Sequence, residues 1–230
     1  MSIQDNEFEN RFAFANKVTP LPDFGIMQEG YYGRVFKRVF DLFLVLISAP
    51  IVMTVVAVLS LIIARDGHSP FYRQARIGKN GRIFTMWKLR TMIHDAEARL
   101  ENHLETDEGA REEWHKKQKL AKDPRITSFG QFLRKSSLDE LPQLLNVLVG
   151  DMSIVGPRPM LPKQRDLYPG KAYYSLRPGV TGYWQITDRN NSTFAERAKF
   201  DNRYCEDLSF STDVSIMWST VGVIFRGTGC

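Results

Sequence analysis

Leu42 to Ala64 reads LFLVLISAPIVMTVVAVLSLIIA, 23 residues without a charge. As a helix that run rises roughly 35 Å, enough to cross a hydrocarbon core. It starts well inside the chain, exceeds the apolar core of a signal peptide and lacks a small-x-small cleavage site at its end. It therefore reads as a membrane segment, and its length disfavours a buried soluble helix.

Whether the segment crosses or turns back depends on Pro50 and the flanking charges. Arg34, Lys37 and Arg38 precede it, and Arg65, Arg73, Arg76, Lys79 and Arg82 follow. A crossing helix would send one basic cluster across the membrane, against the tendency of Lys and Arg to stay cytoplasmic. Re-entry keeps both inside. Pro50 removes a helical hydrogen bond and offers a break, and the hydroxyls of Ser48 and Thr54 are placed to satisfy freed backbone groups. A spanning helix with a tolerated proline kink remains the alternative on these residues alone.

Upstream, residues 1–30 carry no helical or strand period and read as a flexible leader. Downstream, FYRQARIG and RIFTMWKLR flank Lys79-Asn80-Gly81, and Asn-Gly between β-rich runs signals a small hairpin because both residues tolerate positive φ. Asp95 to about Lys119 is highly charged with widely spaced apolar residues, the pattern of one solvated or interfacial helix. His94, His103 and His115 lie in or beside it at spacings that match no metal site. Thr193 to Glu206 and Asp213 to Phe225 carry the last helical patterns, the second apolar enough to pack on the core or lie in the membrane interface.

Pro142 is tolerated only in the first turn of a helix, so the helix through Leu144, Leu145 and Leu148 is expected to begin near Leu138 to Leu141. Asp139 and Glu140 then sit at its N-terminus, where the backbone favours carboxylates and any phosphate brought beside them. Acids also prefer that place for stability alone. Neighbouring helical side chains point about 100° apart, so the two can divide a task, one as nucleophile and one on a metal. Arg158, between Pro157 and Pro159, would present its fork with little conformational freedom, which suits phosphate or a rigid surface turn. Arg134 and Lys135 are phosphate ligands or helix-end cations. Lys88 and Arg90 belong to a basic run, Arg65 to Arg90, whose single acid is Asp66 and which suits anionic headgroups or a phosphorylated lipid.

The 230 residues, 43% hydrophobic and 25% charged, suit one ordinary domain with modest appendages and exclude wholesale disorder. The net charge of +5 favours partners bearing phosphates or anionic headgroups. Cys205 and Cys230 form neither a redox pair nor a disulfide framework, which points to a cytosol-facing chain. No helix-turn-helix, zinc-finger or aromatic-basic pattern supports nucleic-acid binding. The sequons at Asn190 and Asn191 read as chance in such a chain.

Together these segments resemble the bacterial sugar transferases, the monotopic polyprenyl-phosphate phosphoglycosyl transferases. The resemblance runs from about 34 to 227 and is carried by KRVFD (37–41), Pro50, FYRQARIGKNGRIFTMWKLRTM (71–92), DPRIT (123–127), FLRKSSLDELPQLLNVLVGDMSIVGPRP (132–159) and RPGVTGYWQ (177–185). With no run of upstream spanning helices, the chain looks like the short exopolysaccharide-initiating members, of the ExoY type. One departure is visible: Ala49 separates Ser48 from Pro50, whereas some relatives have serine directly before the proline.

The resemblance implies a mainly α, α+β monotopic membrane protein. Its parts would be a re-entrant helix over 34–66 broken at Pro50, with Ser48 beside the break, and a cytosolic transferase domain over 67–230 holding the hairpin and interfacial helices. It implies transfer of hexose-1-phosphate, galactose or glucose, from a UDP-hexose to polyprenyl phosphate, with release of UMP. Asp139 would form a covalent phosphosugar, Glu140 would hold Mg2+, and Arg134, Arg158, Lys88 and Arg90 would contact phosphates. The implied partners are UDP-hexose, polyprenyl phosphate, membrane lipid and later glycosyltransferases, with a homodimer admitted, at the bacterial inner membrane facing the cytoplasm. A non-catalytic membrane-anchored binding protein of the same fold is the alternative, and it differs in tolerating Asp139→Asn.

Overall fold

The apolar run forms a single α-helix, α1 (Lys37–Ile63), entered through a π-helical turn over Tyr32–Phe36. This computed structural model describes residues 31–117, 120, 122–187 and 194–225. The leader 1–30, Asn190, Asn191 and the side chain of His115 lie outside the described residues. The chain stays helical through Pro50, so the break expected there is corrected to a proline carried within a continuous helix. Neither neighbouring hydroxyl replaces the bond that Pro50 denies to the Leu46 carbonyl. Ser48 donates back to Leu44 O (2.7 Å) and Val45 O (3.2 Å), and Thr54 to Pro50 O (2.9 Å).

Strands β1 (Phe71–Ile77) and β2 (Ile83–Leu89) pair antiparallel, and Asn80 and Gly81 take positive φ in the turn between them. The charged stretch that follows is two helices, α2 (Ala96–Thr106) and α3 (Glu108–Lys117), where one was expected. Asp107 divides them: its backbone is extended and its carboxylate accepts the Ala110 N–H (2.9 Å), a cap that starts a new helix. Helix α4 (Ser128–Lys135) is capped by Thr127 and ends on Arg134 and Lys135.

A 3-10 turn, Leu138–Glu140, comes next, and α5 (Gln143–Val149) begins only after Pro142. The sequence reading is corrected here, since the acidic pair precedes the helix instead of opening it. Pro142 has no N–H to give to Leu138 O, so the shorter bond from Leu141 N to Leu138 O (3.3 Å) closes the turn. Beyond α5 lie β3 (Ser153–Val155), α6 (Ala172–Ser175), β4 (Gly179–Thr181), α7 (Tyr183–Ile186), α8 (Arg197–Glu206) and α9 (Phe210–Phe225). Strands β3 and β4 pair in parallel, which the turn-rich sequence around Gly179 did not announce.

Both ends of α1 are fastened to this body. At the start, buried Asp213 of α9 accepts from Tyr32 (2.7 Å), Lys37 (2.6 Å) and Tyr204 (2.7 Å), while buried Asp41 accepts from Ser153 Oγ (2.6 Å). At the far end, Arg90 bonds Ile63 O (3.2 Å) and both oxygens of Asp66 (2.7 Å each). Val45 packs with Phe84, Met86, Val147 and Met152, and Leu59 with Leu89 and Leu133. Val45 and Leu59, roughly 21 Å apart along a straight helix, thus join two clusters that each include a β2 side chain, while Phe43, Ile47, Ile51, Met53 and Leu61 stay exposed.

Candidate active site

The hairpin register decides which side chains share a face. Tyr72 lies opposite Lys88, Gln74 opposite Met86 and Arg76 opposite Phe84, so Arg76 and Lys88 project from one side of the ribbon. That side meets the Leu138–Glu140 turn, the Pro157–Pro159 loop and α7 in a cleft lined by Arg76, Lys88, Glu140, Gln143, Arg158 and Gln185. Ser137, just before the turn, is held left-handed (φ 57°, ψ 17°), a conformation that costs a serine about 1 kcal/mol and swings the chain towards the cleft.

Lys88 Nζ is 2.7 Å from Glu140 Oε1 and 3.7 Å from Asp139 Oδ2, and Arg158 Nη2 is 3.9 Å from the same Glu140 oxygen. Asp139 is buried, and burial pushes its carboxyl above the usual carboxylate range. Lys88 and Arg134 pull it back down and Glu140 pushes it further up. Arg134 is held by its Nε bond to Thr91 Oγ1 (2.9 Å). Gly130 lets α4 approach closely, because a Cβ there would meet Thr91 O at 2.0 Å.

Among the described residues no group of three or more His, Cys, Asp and Glu is gathered to hold a metal unaided. The hard oxygens of Asp139 and Glu140 nevertheless suit Mg2+, which binds through one or two carboxylates with phosphate oxygens and water. The Lys88 ammonium at Glu140 Oε1 shows that this oxygen already takes a cation. Two neighbouring carboxylates with a rim of arginine and lysine form a set suited to phosphoryl transfer.

The profile of the bacterial sugar transferases matches residues 32–227. The chain belongs to the bacterial sugar transferase family. It is 42% identical over 201 residues to the exopolysaccharide production protein ExoY of Sinorhizobium fredii, covering 86% of this chain and 88% of that one. It is 41% identical over 198 residues to the UDP-galactose-lipid carrier transferase of Erwinia amylovora, 85% of this chain and 42% of the relative. Over 233 residues, 96% of this chain and 46% of the relative, it is 32% identical to the UDP-glucose:undecaprenyl-phosphate glucose-1-phosphate transferase of Escherichia coli. The chain thus spans less than half the length of the last two.

Within this sugar transferase, three expected site residues, Lys88, Arg158 and Arg134, come together around the expected pair Asp139 and Glu140. Arg90 does not join them. Its guanidinium is committed to Asp66, Ser69 O, Met92 O and Ile63 O at the end of α1, so its expected phosphate contact gives way to anchoring the membrane helix. Arg76, Gln143 and Gln185 line the cleft without having been singled out. Arg76 was legible: a hairpin centred on Asn80 places it two residues along the same face from the partner of Met86.

Proposed function

We propose that the chain transfers hexose-1-phosphate from a UDP-hexose to polyprenyl phosphate, undecaprenyl phosphate in bacteria, with release of UMP, as the first membrane step of exopolysaccharide synthesis. The observation that carries this reading is the cleft in which Asp139 and Glu140 face Lys88 and Arg158. The relatives' names supply the substrates, UDP-galactose, UDP-glucose and undecaprenyl phosphate, and the setting, exopolysaccharide production.

In the proposed reaction an Asp139 oxygen attacks the sugar-bearing phosphorus in line with the bridging oxygen. The phosphorus–oxygen bond to UMP breaks, UMP leaves with the electron pair, and an aspartyl phosphosugar remains. The phosphate oxygen of polyprenyl phosphate then attacks the same phosphorus and the Asp139 carboxylate departs, leaving polyprenyl-diphosphate hexose. Lys88 and Arg134 favour the ionised form of Asp139 against the burial that raises its pKa, and Arg158 offsets phosphate charge. Glu140 is the proposed holder of Mg2+, which would supply further charge neutralisation when bound.

We further propose a monotopic topology, with α1 entering and leaving the inner membrane on its cytoplasmic face. What supports it is the fastening of both α1 ends to one body: Lys37 bonds Asp213 and Asp41 accepts from Ser153 at the start, and Arg90 bonds Ile63 O at the end, a body that ends on opposite sides of a bilayer could not share. Phe210, Val214, Trp218 and Val221 form an exposed apolar stripe on α9, and the Phe210 ring meets Phe40 of α1 at 4.9 Å, which suits α9 to the interface.

The test is UMP release by detergent-solubilised protein given polyprenyl phosphate, Mg2+ and either UDP-galactose or UDP-glucose. Release dependent on the acceptor supports the reading, and the preferred sugar identifies the donor. No release from either sugar by folded protein would overturn these donors and favour the non-catalytic anchor.

A further inference from the structure

The segment carrying Arg158 is held at four consecutive carbonyls, each by a different donor. Gly179 N of β4 donates to Pro157 O (2.8 Å), Arg197 Nη2 of α8 to Arg158 O (2.5 Å), Arg76 Nη1 of β1 to Pro159 O (2.9 Å) and Ile77 N to Met160 O (3.0 Å). The first and last donors are backbone amides, which satisfy a carbonyl without adding charge. The middle two are guanidiniums.

Those guanidiniums crowd Arg158. Arg158 and Arg197 lie over the same Trp184 ring, 5.8 Å and 5.0 Å from its centroid. Burial lowers the Arg76 pKa to about 10 and lowers that of Arg197, and Arg158 lowers both further. The acids facing this group are Asp201, which acts on Arg197, and Glu140, 3.9 Å from Arg158. Arg76, Arg158 and Lys88 thus line one cleft with Arg197 buried behind Arg158, and the Nε–H groups of Arg76 and Arg197 are sealed from solvent without an acceptor. Like charges gathered so closely oppose the fold until an anion arrives.

We infer that Arg76 and Arg197 are positioning residues: they clamp the Arg158 backbone and add charge behind it, presetting Arg158 for the diphosphate of the nucleotide-sugar donor. The inference rests on the donor reading above and assigns the diphosphate end of the substrate to the wall opposite Asp139. Binding of the lipid acceptor is not served by this clamp.

The test titrates UDP and UMP into the detergent-solubilised full chain, with donor and acceptor kinetics measured in parallel on wild type, Arg76→Gln, Arg76→Lys and Arg197→Gln. UDP affinity is expected to fall about tenfold in Arg76→Gln and Arg197→Gln, with a smaller fall for UMP. Arg76→Lys, which keeps the charge, should recover part of the loss. The donor KM should rise more than kcat falls, while the acceptor KM holds. Unchanged UDP affinity and donor KM beside a lowered unfolding temperature in either Gln variant would overturn the inference and leave a purely structural clamp. If one Gln variant fails to fold, the other and Arg76→Lys decide by the same criteria. Wild type that turns over UDP-hexose while the variants bind UDP equally well would sink this inference alone. Wild type that neither binds UDP nor turns over would sink the donor reading and this inference with it.

Discussion

Lys88 Nζ lies between Glu140 Oε1, at 2.7 Å, and Asp139 Oδ2, at 3.7 Å, so a single ammonium from β2 faces both carboxylates of the acidic turn. Asp139 is raised by burial and by Glu140, and Lys88 is the largest influence in the other direction. The proposed role of Asp139 as nucleophile requires it ionised, so kcat/KM should rise with pH through the Asp139 value, above the usual carboxylate range. Lys88→Met removes the stabilising cation and should move that acid limb to higher pH, with a rate loss on the order of tenfold to a hundredfold at neutral pH. A pH–rate profile checks this, and a limb that stays put or moves to lower pH would count against the assigned role.

The base of the membrane helix depends on Asp213, which accepts from Tyr32, Lys37 and Tyr204 and is 1% exposed. Asp213→Ala leaves the buried Lys37 ammonium and the half-buried Tyr32 hydroxyl without this acceptor, and leaves Tyr204 with Val155 O alone. The expected cost is about 3–5 kcal/mol. Chemical unfolding in detergent measures it, and a change under about 1 kcal/mol would show that α1 does not rely on this junction.

Re-entry puts both ends of α1 on the same side of the membrane. Single cysteines introduced in a cysteine-free background at Val39 and Ser69, which flank the apolar run, should both resist an impermeant thiol reagent in intact spheroplasts and both react once the membrane is opened. Labelling of either position in intact spheroplasts would establish a crossing helix instead.

Local signals made much of the fold readable. The charge-free run and the Asn80-Gly81 turn each announce an element through a few adjacent residues, and both appear where the sequence placed them. The acidic pair was placed one turn too far into α5, because Pro142 limits a helix without revealing that a 3-10 turn will precede it. What escaped was non-local. Strands β3 and β4 are three residues each and exist only through pairing across 26 positions, as between Ser153 and Gly179. Gly179 itself is required there, since a Cβ would meet Gly156 N at 2.1 Å. Arg90 looked like a phosphate ligand among other basic residues. Only the tertiary fold, by bringing Asp66 and the end of α1 to its guanidinium, gives it a different task.

The covalent step is the centre of the account, and intact-protein mass spectrometry addresses it directly. Wild-type protein incubated with UDP-galactose or UDP-glucose and Mg2+, without polyprenyl phosphate, should gain the mass of one hexose phosphate, and peptide mapping should locate it on Asp139. Asp139→Asn should gain none, and adding polyprenyl phosphate should discharge the wild-type adduct. Turnover without any adduct, or an adduct on another residue that survives Asp139→Asn, would contradict the role given to Asp139.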